Sequence, residues 1–153
     1  EDAWLTSLLQ SLHPIWEDGG RAVGVAIVCQ SAARQIRRLS PECAAMVRDA
    51  VGAANGGDED VCKSVAAVAY EAMRAALTPE QPGYLLASRV ALCGRSASDC
   101  EWAAAVATRI AGCNPQRERE MQRRALIRSM GMAADAVARL PIHEIVESWF
   151  PAR

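Results

Sequence analysis

The sequence predicts an all-α fold, a compact bundle of about seven to eight antiparallel helices, and three observations carry that expectation. Helix-start signals recur along the chain. Alanine supplies much of an apolar fraction of 51%, while aromatics make up only 5%. Strict alternation of apolar and polar residues never persists long enough to suggest a strand. At 153 residues the chain fits a single alanine-rich helical domain, 1–153, large enough to bury a core. Alanine has little bulk, so filling that core requires helix axes to approach closely.

The start signals come in order. Leu39-Ser40-Pro41-Glu42 reads as an N-cap serine followed by proline at the first helical position. Leu77-Thr78-Pro79-Glu80 repeats the grammar, and Cys113-Asn114-Pro115-Gln116 gives a looser copy. Ser98 with Glu101 reads as a capping box. Asn55-Gly56-Gly57, Gly94 and Gly112 read as stops, each a left-handed helix end. Together these signals predict helices near 2–13, 20–39, 41–54, 59–77, 83–92, 99–112, 115–139 and 142–149. The three cap prolines lie 38 and 36 residues apart, the length of a helix pair with its turns. Helix-pair repeats are therefore an alternative organisation, but the units share no side-chain pattern and the plain bundle is preferred.

Within this frame the helix over 20–39 is expected to be central, because Gly20 and Gly24 let a neighbour come close. Val61, Val65, Val68, Ala69, Ala72, Met73 and Ala76 give the helix over 59–77 a broad apolar face expected in the core. Trp102, Val106 and Ile110 do the same for the helix over 99–112.

Composition limits the function classes. The charged fraction is 23% and the net charge −1, so no bulk field recruits nucleic acid or a charged membrane. No stretch approaches the roughly 20 apolar residues that span a bilayer. Sixteen of the seventeen basic residues are arginine, with Lys63 the lone lysine. The chain opens at Glu1 rather than methionine, as a processed or trimmed chain would.

Six cysteines, Cys29, Cys43, Cys62, Cys93, Cys100 and Cys113, form an even set with no CxxC pair, which argues against a zinc ribbon or a thioredoxin-type site. Five fall near expected helix ends, where neighbouring elements meet and disulfides are expected; Cys93 and Cys100 flank one short loop. This favours an oxidising compartment (secreted, periplasmic or lumenal) over the cytoplasm. The opposing reading makes each cysteine a small reduced core residue. Nothing in the spacing settles connectivity.

No constellation of catalytic residues emerges, and no cofactor or metal is expected. His143 and Glu147 stand one turn apart without a second ligand pair, and His13 precedes Pro14 at an expected helix end. Asp58, Glu59 and Asp60 complement a helix start and lack the spacing of a calcium loop. Arg34, Arg37 and Arg38 form one basic cluster, and Arg117, Arg119, Arg123, Arg124 and Arg128 another. Glu120 is placed to neutralise Arg124 at i+4. With few aromatics for base stacking, nucleic acid ranks below a protein partner.

Bulk gathers at the ends of the chain. Four of the seven aromatics, Trp4, Trp16, Trp149 and Phe150, lie in the terminal segments. They accompany helical runs that include Leu8 and Leu12 at one end and Ile142, Ile145 and Val146 at the other. These segments either close the bundle or present a helix to a partner groove. The candidate partner surface is therefore Trp4, Leu8, Leu12, Trp16, Trp149 and Phe150, with Arg117 and Arg124. The leading expectation is a non-enzymatic helical protein–protein interaction module, such as a subunit, adaptor, inhibitor or immunity-type protein. The alternative is a small-molecule or lipid carrier with an apolar cavity between helices.

Overall fold

The cap at Ser40 shows how local sequence sets the architecture. In the computed structural model, which describes residues 12–112 and 114–130, Ser40 is extended and its hydroxyl accepts from the Cys43 N–H at 3.3 Å. That bond satisfies one of the first-turn donors a helix leaves without an internal partner. All regular structure among the described residues is helical: α1 (Gly20–Gln35), α2 (Pro41–Gly56), α3 (Glu59–Ala75), α4 (Gln81–Ala91), α5 (Ala97–Ala111) and α6 (Pro115–Met130). Short 3-10 turns at His13–Asp18, Ile36–Arg38, Thr78–Glu80 and Cys93–Arg95 connect or precede them. The all-α bundle expected from sequence is what the structure shows. The expected helix at 142–149 lies wholly outside the described residues, as do 2–13 except for its last two positions and 115–139 beyond position 130.

Several stops and starts fall where expected. Gly57 takes φ 74° and returns its N–H to the Ala53 carbonyl, ending α2. Asp58 then caps α3, its carboxylate accepting from the N–H groups of Asp60 and Val61. Gly112 has φ 57° and ends α5. Three assignments need correction. The cap of α5 is Ser96, not Ser98: its hydroxyl accepts from the Asp99 N–H at 3.1 Å and donates to the Asp99 carboxylate at 2.9 Å. Two overlapping serine–acid pairs compete here, and the extended backbone of Ser96 decides between them. Gly94 is not a left-handed stop; it sits in a 3-10 turn, where its missing side chain admits the Arg21 guanidinium. Thr78 opens a 3-10 turn that runs directly into α4, so that helix starts at Gln81 rather than near 83.

Packing divides the helices into two groups of three. One is α2, α3 and α4; the other is α1, α5 and α6. They join through α4 against α5 and α1 against α2. α1 is central, as its glycines suggested. A Cβ on Gly20 would stand 2.8 Å from the Leu12 carbonyl oxygen, and one on Gly24 would stand 2.6 Å from the Cys100 sulfur. The core is mostly small: Val25, Val28 and Ala32 of α1 meet Val47 and Ala50 of α2, Leu86 and Val90 of α4, and Ala103 and Val106 of α5. Helices run alternately up and down, so α2, α4 and α6 begin at one end of the bundle and α1, α3 and α5 at the other. The recurring proline caps of the sequence thus mark a single end.

Candidate functional site

α3 is an edge helix that packs chiefly on α2 and α4. Its buried face is narrow: Cys62, Ala66 and Ala69. The broad apolar face read from sequence is therefore only partly core. Val61 remains 48% exposed and Val68 57% exposed, with Val65 and Ala72 half-buried between and beyond them. Positions 61, 65, 68 and 72 follow the four-three-four spacing that lines one stripe of a helix. The stripe lies on the shoulder of the core face, where Val65 packs on the core while Val61 and Val68 stay exposed. The acids of α3 outnumber its bases. Lys63 pairs with Glu59 at 3.0 Å and Arg74 with Glu71 at 3.6 Å, which leaves Asp58 and Asp60 at the start of the stripe without a cationic partner among the described residues.

Trp102 is also corrected. It lies half-exposed on α5, covered by the Arg89 guanidinium 3.5 Å from the ring centroid, rather than in the core. In a helix whose inner face is Cys100, Ala103, Ala104 and Ala107, the close approach of α4 leaves no room for an indole.

Of the candidate partner surface, Leu12 and Trp16 are committed to packing. Leu12 is fully buried, and Trp16 packs on the core and donates its indole N–H to the Gly94 carbonyl at 3.2 Å. Arg117 is exposed. Arg124 is exposed but paired with Glu120 at 3.3 Å, the i+4 neutralisation expected from sequence. Trp4, Leu8, Trp149 and Phe150 lie outside the described residues, as do His143 and Glu147.

The expected disulfides are absent among the described cysteines. Cys29, Cys43, Cys62, Cys93 and Cys100 are free and buried, and Cys113 lies outside the described residues. They act instead as small core residues whose S–H groups find local acceptors. Cys62 donates to the Ala53 carbonyl at 3.2 Å, and Cys100 to the Cys93 carbonyl at 3.0 Å. Hydrogen bonding to Cys93, with burial, pushes the Cys29 thiol far above its ordinary value. A hydrogen bond with Cys100 likewise raises Cys93, against a lowering by Cys29. Burial pushes Cys43 up to about 11, with Glu80 adding to the shift. Thiols held protonated in this way are poor nucleophiles.

The basic clusters hold the least legible feature. Glu118 of α6 is 5% exposed and anchors α6 to α1. Its carboxylate accepts from Ser31 Oγ at 2.5 Å, Arg34 Nη2 at 2.6 Å, Gln35 Nε2 at 2.7 Å and Arg34 Nε at 3.1 Å. Gln122 extends the network to the Ala104 carbonyl and Thr108 of α5. Beside this network one arginine of the second cluster, Arg117, joins Arg34, Arg37 and Arg38 of the first in lining a cleft of about 200 Å³.

No group of histidine, cysteine and carboxylate that could hold a metal ion occurs among the described residues, and no described helix is long and apolar enough to cross a membrane. No family model, curated protein or solved structure matches the chain.

Proposed function

We propose that this protein is a non-enzymatic interaction module that docks an amphipathic helix of a partner protein along α3. The exposed valines Val61 and Val68, with half-buried Val65 between them, support this reading. Solvent-exposed branched side chains at helical spacing offer a seam for the knobs of a second helix. Asp58 and Asp60, unpaired at the start of that stripe, favour a partner helix flanked by lysine or arginine at that end. The residues available for chemistry point the same way: the described thiols are buried, and Glu118 is spent on structure.

Photo-crosslinking tests this in the native host. A benzophenone amino acid placed at position 68 is expected to capture a peptide of amphipathic helical pattern with basic flanks, while the same group at exposed Ala22 on α1 captures none of it. Capture of the same peptides from both positions, or none from position 68, would refute the reading.

A further inference from the structure

Two clefts adjoin at the proline-capped end of the bundle, and Arg38 lines both. The smaller is the arginine cleft of about 200 Å³ between α1 and α6. The larger, about 510 Å³, is walled by Leu39, Pro79, Pro82 and Ile110, with Arg109 and Glu80 on its polar side. The last turn of α5 runs through both, from Arg109 and Ile110 to Ala111.

Their electrostatics differ. In the smaller cleft the one acid is Glu118, and Arg34, Ser31 and Gln35 already satisfy it. Arg37, Arg38 and Arg117 make no ion pair among the described residues, so three guanidiniums of surplus charge face a concave surface. Asn114 brings the start of α6 to the same place as the ends of α1 and α5, so the helix dipoles offset one another and the arginines supply the positive charge. Gln35 on the cleft wall is buried and spends its amide donor on Glu118, so the arginines are the donors open to an anion. In the larger cleft Glu80 opposes an anion while the proline, leucine and isoleucine walls accept apolar surface.

From this juxtaposition we infer that the paired clefts form a binding site for a small phosphate monoester with an apolar or ring-bearing body. The phosphoryl group sits among Arg37, Arg38 and Arg117, whose planar guanidiniums match its oxygens in bidentate geometry. The body lies against Leu39, Pro79, Pro82 and Ile110. The combined space is within the roughly 300–1,000 Å³ typical of small-molecule sites. This site is at the bundle end and does not depend on the α3 stripe.

Isothermal titration calorimetry with 1-naphthyl phosphate tests the assignment on the full chain. Saturable binding is expected, stronger than that of inorganic phosphate or 1-naphthol alone, and weakening with added salt. Arg37→Gln and Arg117→Gln, both at exposed positions, should each weaken it by about tenfold, the effect of one charge-assisted hydrogen bond. Arg124→Gln, on the same helix but outside the cleft, should leave the affinity unchanged, as should Val68→Asp on α3. Absence of saturable binding at millimolar probe would overturn the inference. So would equal losses in Arg117→Gln and Arg124→Gln, which would indicate diffuse charge rather than a site.

Discussion

Removing the Glu118 carboxylate should unfasten α6 from α1, and the structure sets the size of the effect. The carboxylate is almost fully buried and receives four short hydrogen bonds from Ser31, Arg34 and Gln35. Breaking a buried ion pair by deleting one partner costs about 3–5 kcal/mol, because the other charge stays buried without compensation. Here Arg34 keeps 24% of its side chain exposed and can turn towards water, which places the loss at the lower end. The buried Ser31 hydroxyl and Gln35 amide cannot, and they carry a further desolvation cost. Glu118→Ala is therefore expected to destabilise by about 3 kcal/mol, a fall in Tm of about 6–12 °C for a chain of this size. Urea unfolding followed by helical circular dichroism reads this directly. Glu118→Gln, which keeps an acceptor, should fall between. A double-mutant cycle with Arg34→Ala should give a coupling of about 1 kcal/mol or more. A loss below about 1 kcal/mol for Glu118→Ala, or no coupling to Arg34, would mean that the network does not hold the helices together.

Other outcomes follow from the same packing. Gly24→Ala places a Cβ 2.6 Å from the Cys100 sulfur and should cost about 1–3 kcal/mol, whereas Gly52→Ala meets nothing within 4 Å and should stabilise α2 by about 0.5–1 kcal/mol; opposite signs in thermal unfolding check both. The five described thiols should react slowly with Ellman's reagent at pH 8 in the native protein and rapidly in denaturant, and fast native reaction of all five would contradict their burial. Because burial raises the Cys43 thiol from 9.0 to about 11, the unfolded chain ionises first as pH rises. Stability from this group is thus complete below pH 9 and lost between 9 and 11, and Cys43→Ala should flatten that part of the pH–stability curve. Trp102→Ala should cost about 1 kcal/mol or less, since the half-exposed indole loses an exposed cation–π contact rather than core volume.

Much of the fold was legible because its signals are local. Ser40-Pro41 and Gly57 act through their own backbone and a partner within four residues, so no tertiary information is needed to read them. Gly20 and Gly24 announced the central helix because only a close neighbour gives two glycines in an apolar helix a purpose. Residue type failed where azimuth decides. Valine at 61 and 68 and tryptophan at 102 look like core residues, yet an alanine-lined interior admits neighbours so closely that larger side chains are pushed to the shoulder. Glu118 was hidden for a different reason. Set among flanking arginines, it looks in sequence no different from Glu120, the surface neutraliser of Arg124, and only the meeting of α6 with α1 shows it buried beside Ser31 and Gln35. That same meeting brings Arg117 into one cleft with Arg34, Arg37 and Arg38, more than 75 residues away in sequence.

The α3 stripe is tested most directly by NMR titration with a designed helical peptide carrying leucines at heptad spacing and arginines on its flanks. The expected result is saturable binding with shifts confined to α3 and its neighbours around Val61, Val65 and Val68, abolished by Val68→Asp and weakened when glutamates replace the arginines. Equal binding of both peptides, shifts centred elsewhere, or an unchanged affinity for the Val68→Asp protein would contradict the assignment of α3 as the docking helix.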